Sequence, residues 1–267
     1  MDSARSKRPY GVAQATIAKD RTDLPCRGPY EELQQSAVAR NTLILLQCAG
    51  AGSGLKLTSA GNLSRSVVAE MRERIRWPGF DNEGAFAFHK VINEPDFLPL
   101  YFVRNLAQTC QVLRKQMGHL KITALGRRVL EGPNQPGLQA VLFHLAMWHV
   151  DLGFLGPGLL PGWPQSDIGI VLWSLSIAAN AWETRERLTR LCTVPINVVL
   201  DREWDTASYA MEAKILRPLW WFGLLDHREE EIAGNRYERR HLYRKTALFS
   251  RFLSFGVAVE LTRGTRH

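Results

Sequence analysis

Three segments of the chain align without gaps: Leu55-Lys-Leu-Thr58 followed by Ser-Ala-Gly, Leu120-Lys-Ile-Thr123 followed by Ala-Leu-Gly, and Tyr243-Arg-Lys-Thr246 followed by Ala-Leu-Phe. Each alternates apolar and basic residues, reaches a threonine, and continues into small or apolar residues. That is the pattern of a strand, an N-cap and a helix, because a threonine hydroxyl accepts an N–H left over in the first helical turn. The recurrence predicts that Thr58, Thr123 and Thr246 are strand-to-helix joints, and it restricts the chain to short hairpins that feed capped helices.

The same recurrence decides how to read CAGAGSGLKLTSAGN, Cys48 to Asn62, whose glycines at 50, 52 and 54 precede a lysine and a threonine. A phosphate-binding loop needs Lys directly after its last glycine and Ser or Thr directly after the Lys. Here Leu55 and Leu57 intervene, and the GxGxG spacing lies ahead of a strand instead of opening a helix, as a dinucleotide site requires. The glycines are expected to end a helix and form a wing or turn.

The stretch EPDFLPLYFVRNLAQTCQVLRKQMGHLKITALGRRVLEG extends the pattern. Asn93 can cap a helix that tolerates Pro95 in its first turn, with Val103, Leu106, Ala107 and Cys110 on the apolar face and Arg104, Gln108 and Gln111 opposite. VLRKQ and HLKIT are strands joined at Met117 and Gly118, and Thr123 caps ALGRRVLE, which stops at Gly132 and Pro133. Helix, hairpin, helix is the closing half of a winged-helix module. Two more helices are expected upstream, in EELQQSAVARNTLILLQCA and from about Leu63, where Val67, Val68, Met71 and Ile75 recur at helical spacing.

Between Gly132 and Ala181 there is no Lys or Arg, and Asp151 and Asp167 are the only acidic residues. This zone predicts two buried helices, GLQAVLFHLAMWHV and DIGIVLWSLSIAANAW; the uncharged run Ile168 to Trp182 is too short to span a membrane. The expected fold is mainly α with short β-hairpins (α+β), with repeated winged-helix-like modules around an apolar helical centre. Its parts are a mobile basic tail (1–30), a winged-helix-like region with two related hairpin-helix units (31–135), an apolar helical layer (136–200), a C-terminal winged-helix-like module (201–262) and a short tail (263–267).

The runs GLKLTSAGNLSRSVVAEM, EPDFLPLYFVRNLAQTCQVLRKQMGHLKITALGRRVLE, ILRPLWWFGLLD and LYRKTALFSRFLSF together resemble a family of uncharacterised bacterial proteins associated with an open reading frame of an Ri-type plasmid. The resemblance spans roughly residues 43 to 256. It implies a shared architecture and brings no activity or active-site residues; some members carry a further plasmid-associated domain, which this chain is expected to lack.

Candidate chemistry is sparse. His144 and His149 are five apart, which on a continuous helix puts them on different faces, and with Asp151 they make a poor metal set. Asp201, Glu203 and Asp205 suit the N-terminal charge of the helix that follows. No GxSxG elbow is present and no cysteine has a nucleophile context, so a non-enzyme without cofactor or metal is favoured. Cysteines 26, 48, 110 and 192 are scattered and are expected to be reduced thiols. With an N-terminus that lacks an apolar signal region, they point to the cytoplasm and to no membrane association.

The net charge of +8 and pI of about 9.6 favour a polyanionic partner. For double-stranded DNA the expected contacts are Arg104, Asn105, Gln108 and Gln111 on the middle helix, Arg114, Lys115 and Lys121 on its hairpin, and Arg236, Arg239, Arg240, Arg244 and Lys245 on the C-terminal hairpin. Glu229, Glu230 and Glu231 oppose docking there, and Trp220 with Trp221 makes the neighbouring helix unusually apolar. The competing expectation is a protein partner bound by an aromatic face of Trp148, Trp163, Trp173, Trp220 and Trp221. Oligomeric state is not legible in the sequence.

Overall fold

The computed structural model describes residues 35–80, 92–132, 135–156, 158, 160–195, 204–232 and 234–256, with backbone only at 135–136, 204–205 and 235–237. The basic N-terminal segment, Cys26, Asp201, Glu203, the side chain of Asp205 and residues 263–267 lie outside the described residues.

The protein has a mixed α+β fold with two small three-stranded antiparallel sheets. In the first, helix α1 (Ala37–Gly50) leads to β1 (Leu55–Lys56), then α2 (Arg65–Arg74), α3 (Leu98–Thr109), β2 (Leu113–Gln116), β3 (His119–Ile122) and α4 (Ala124–Glu131). The strand order is β1-β3-β2. After α5 (Gln135–Trp148) come α6 (Ile168–Ala178), β4 (Glu183–Thr184) and α7 (Arg185–Cys192). Helix α8 (Trp204–Met211) then runs through a π-helical turn, Glu212–Leu216, into α9 (Arg217–Trp221), followed by β5 (Leu225–Ile232), β6 (Asn235–Lys245) and α10 (Ala247–Phe252). The second sheet is ordered β4-β6-β5, so in both sheets the last strand lies between the first two. Strand β4, just past the charge-depleted zone, pairs with β6, through Glu183 with Tyr243 and Thr184 with Leu242.

Two of the three predicted threonine joints are observed. Thr123 caps α4, accepting Gly126 N–H at 3.0 Å, and Thr246 occupies the N-cap position of α10. Thr58 does not begin a helix. Its hydroxyl accepts the Asn62 N–H at 3.2 Å inside a turn, and α2 starts later, with Ser64 at the N-cap position. The gapless alignment misled here because Gly61 adopts a φ of +79° that turns the chain back, and Leu57 bridges to Leu63 before a helix can start. The glycine-rich loop ends α1 at Gly50. At Gly54 a Cβ would sit 2.8 Å from the Leu120 carbonyl, so a bare backbone is needed where β1 meets β3.

The main buried cluster runs from Ala37 on α1 to Phe249 on α10, so both sheets share a core, and Leu160, Trp163, Ala207 and Ala210 form a second, smaller one. Trp77, Phe102 and Trp221 meet edge to face, with centroids 5.2–6.1 Å apart, and tie α3 to α9. Helix α5 buries Leu138, Leu142, Phe143, Ala146 and Met147; α6 buries Ile168, Val171, Leu172 and Leu175 but leaves Trp173 and Ile177 exposed. Among the described residues no helix is long and apolar enough to cross a membrane.

Candidate functional site

Both hairpins are hung on their preceding helices by the same hydrogen bonds. At the end of α3, Val112 N–H reaches Ala107 O at 3.1 Å; at the end of α9, Leu224 N–H reaches Leu219 O at 2.9 Å. Thr123 N–H donates to Val112 O and Thr246 N–H to Leu224 O, each at 3.0 Å. The Thr123 hydroxyl donates to Gln111 O, and the Thr246 hydroxyl to Gly223 O, each at 2.8 Å. Gln111 and Gly223 both hold positive φ, 60° and 74°, the left-handed residue that turns a helix end into a strand. Gln111 is therefore primarily a joint, although its side chain is exposed.

On the first hairpin, cross-strand pairing sorts the basic residues onto two faces. Leu55, Leu120 and Lys115 share one, and Arg114, Lys121, Lys56 and His119 share the other, with Arg114 directly opposite Lys121. Lys115 leans toward α3 and lines a groove of about 530 Å³ with Asn62, Asn105, Gln108 and Thr109. Phe154, edge-on to Tyr101 with centroids 5.6 Å apart, closes one side of this groove.

Arg104 does not stand on the polar stripe of α3. It is 4% exposed; its Nη1 pairs with Glu94, its Nη2 donates to Gly61 O at 2.6 Å and its Nε to Gln108 Oε1 at 2.9 Å. Glu94 is 0% exposed and also accepts Leu63 N–H at 2.6 Å. The assumption that one helix face is apolar and the other wet failed because the 58–64 turn and the Glu94–Asp96 turn cover this side of α3.

The second hairpin is as acidic as it is basic. Asp226, Glu229, Glu230 and Glu231 accompany Arg228 on β5, facing Arg236, Glu238, Arg239, Arg240, Arg244 and Lys245 on β6, a net of +1. Arg239 pairs with Glu231 at 3.1 Å. Arg244 pairs with Asp226 at 3.0 Å and lies over the Trp182 ring. Lys245 Nζ donates to Ser176 O at 2.7 Å. Arg240 is exposed opposite Glu230, and the side chain of Arg236 lies outside the described residues.

One face of this hairpin carries side chains that sequence reading missed. His227, Glu229, His241 and Tyr243 share the face against the π-helical turn and α9. His227 Nε2 lies 3.0 Å from His241 Nδ1, Trp220 packs on His227, and Tyr243 Oη donates to Glu212 Oε1 at 2.9 Å. Arg185 closes on Glu212 Oε2 at 2.7 Å. Burial opposes the Glu212 charge, but hydrogen bonds from Arg185 and Tyr243 and the charges of His241 and Arg185 hold its pKa below the usual carboxylate value. Burial, then the charge of His241, holds His227 below the ordinary imidazole value. Tyr243 is pushed up by burial and then by Glu212. The alternation His227-x-Glu229 was the available signal, since it puts both side chains on one face of a strand.

His144 and His149 also meet, Nε2 to Nε2 at 3.0 Å, contrary to the helical-wheel argument; α5 ends at Trp148, so His149 leaves the wheel and folds back. Cys48, Cys110 and Cys192 are free thiols, and burial pushes Cys192 up to about 12. Of the five tryptophans of the expected aromatic face, Trp163 and Trp221 are buried, Trp148 and Trp220 partly so, and Trp173 is exposed.

What fold and side chains define is thus an α+β protein with a polar helix-hairpin groove lined by Lys115 and Asp151, and a second hairpin with a face of histidines and carboxylates. Residues 34–135, which contain the first hairpin, match the family model of the Y4jL N-terminal domain. The chain is similar to "Uncharacterized protein y4jL" of Sinorhizobium fredii (strain NBRC 101917 / NGR234), 30% identical over 98 residues, covering 37% of this chain. It spans 44% of the length of that relative. No solved structure matches the chain.

Proposed function

We propose that the chain is a non-catalytic protein of two winged-helix-like modules, residues 37–131 and 168–252, in the cytoplasm, and that it associates with double-stranded DNA through the first. The element order helix, strand, helix, helix, strand, strand with the last strand central supports the winged-helix reading of both. The family associated with the Ri-type plasmid open reading frame is part of the same reading. The observation that carries DNA association is the acid-free basic face Lys56, Arg114 and Lys121 of the first hairpin, with Lys115 on its other face beside Asn105, Gln108 and Thr109. Arg239 and Arg244 of the C-terminal hairpin are paired with Glu231 and Asp226 and contribute little.

Four phosphate contacts give a salt dependence of roughly −3.6 in log K against log salt. Fluorescence anisotropy with random duplex DNA from about 50 to 200 mM salt reads it. Arg114→Glu with Lys121→Glu abolishes binding, whereas Arg239→Glu with Arg240→Glu leaves it within about twofold. No binding at low salt, or equal loss in both variants, overturns the reading. A protein partner is the second reading, supported by Trp173 and Ile177, which are exposed one turn apart on α6. Trp173→Ser with Ile177→Ser would then abolish association without touching DNA binding.

A further inference from the structure

We propose that His227, His241 and Glu229 form a binding site for a divalent transition-metal ion, of which zinc is the natural occupant, between the C-terminal hairpin and the π-helical turn. The three ligand atoms lie within 4.8 Å of one another. His227 Nε2 and His241 Nδ1 are 3.0 Å apart. With Zn–N distances of about 2.1 Å, two nitrogens on one ion lie about 3.0 Å apart at a right angle and about 3.4 Å apart at the tetrahedral angle, so the pair is set for a shared metal with little movement.

Backbone pairing builds the site. Glu229 lies directly across from His241, and His227 directly across from Tyr243, so all four point to one face, and the diagonal brings the two imidazoles together. Trp220 packs against His227 with centroids 4.5 Å apart and fixes that ring.

A hydrogen bond between the two imidazoles is the simpler account of the 3.0 Å distance, but it leaves the Glu229 carboxylate, directly across from His241, without a role. Nδ1 of His241 faces His227 Nε2 and also Glu212 Oε1, at 3.5 Å. A single ring proton satisfies one of them and leaves the other facing a lone pair. A cation satisfies both nitrogens and the Glu229 carboxylate. Glu212 is itself held by Tyr243 and Arg185, the carboxylate anchoring that supports metal sites from behind. The opposing charges are Arg185, spent on Glu212 and Glu186, and Arg217, which acts on His227 from α9.

The test is a titration of the full chain, free of any histidine tag, with Zn²⁺ at pH 7.5, and with Co²⁺ for its ligand-field spectrum. Binding saturates at about one equivalent, His227→Gln and His241→Gln each weaken it tenfold or more, and Glu229→Gln weakens it by a smaller factor. His144→Gln with His149→Gln leaves it unchanged, which separates this site from the other histidine pair. Affinity falls in acid, because an imidazole nitrogen ligates a metal only when it carries no proton. Nitrogen-15 shifts of the rings identify Nε2 of His227 and Nδ1 of His241 as the metallated atoms. His227 and His241 are only partly buried and Glu229 is exposed, so the single variants fold, checked by circular dichroism. Retention of full affinity in His227→Gln and His241→Gln, or no Zn²⁺ bound by the wild-type chain, overturns the proposal. DNA binding by the first module is unaffected either way.

Discussion

Replacing Arg104 by Met separates the structural account of α3 from the reading that puts this arginine on a DNA-facing surface. The substitution keeps most of the buried stem but strands the Glu94 carboxylate, which is fully buried, has one remaining donor in Leu63 N–H, and has an Oε1 without a hydrogen-bond partner among the described residues. Breaking one side of a buried ion pair costs about 3–5 kcal/mol, most of it the uncompensated charge. The lost bonds to Gly61 O and Gln108 add little, because both acceptors are partly exposed and rehydrate. At about 2–4 °C per kcal/mol for a domain of this size, Tm falls by roughly 6–20 °C. Urea denaturation measures the loss, and a cycle with Glu94→Gln measures the coupling. Glu94→Gln removes the charge while keeping an acceptor for Leu63, so the double variant is more stable than Arg104→Met alone by about 2 kcal/mol. A loss below about 1 kcal/mol, typical of a surface pair, or a double variant that is simply the sum of two losses, refutes this account. The folded fraction of Arg104→Met should bind DNA as the wild type does.

Two further outcomes follow from the packing and charge of the joints. Gly126→Ala puts a Cβ 2.4 Å from the Val112 carbonyl and 2.7 Å from Ile122, on the rigid joint between helix and hairpin, and should cost about 1–3 kcal/mol in urea denaturation. Stability should also fall with acid in two stages. His227 titrates lower in the fold than in the unfolded chain, so its contribution is complete above about pH 6.5 and declines below it as the unfolded chain takes up the proton. Glu212 is likewise depressed, so its contribution is complete above about pH 4.3 and is lost as pH falls through its folded value. His227→Gln removes the first stage and Glu212→Gln the second; a urea midpoint with the same pH profile in all three proteins contradicts both assignments.

The local grammar of the middle segment was legible because each signal was short-range. The hairpin strands of four residues each, the turn at Met117 and Gly118, and the cap at Thr123 follow from alternation and turn chemistry within a dozen residues. Long-range pairing was not legible. Glu183-Thr184 carries no strand pattern of its own and becomes β4 only because β6 offers it an edge. Arg104 looked solvated because periodicity marks apolar positions and is silent about a buried charge whose partner lies ten residues away on another turn. The histidine cluster joins two strands and a π-helical turn, and no spacing rule links Glu212 to His241. His144 and His149 were misjudged for a smaller reason: the wheel was extended one residue past the helix.

The contrast between the hairpins favours a role for the first that its own stability does not require. A long two-stranded ribbon gains from opposite charges across the strands, and β5 and β6 supply them at Asp226 with Arg244, Glu230 with Arg240 and Glu231 with Arg239. The short ribbon does the reverse. Arg114 is directly opposite Lys121, with Lys56 and His119 on the same face and no acid among them. Like charges in that position cost a few tenths of a kcal/mol up to about 1 kcal/mol, and a single glutamate at either site would relieve it. Equivalent hydrogen bonds hang both ribbons, so the frame does not dictate the difference. A local rule broken without structural gain supports the proposed association with a polyanion, a partner that an acid-free ribbon suits.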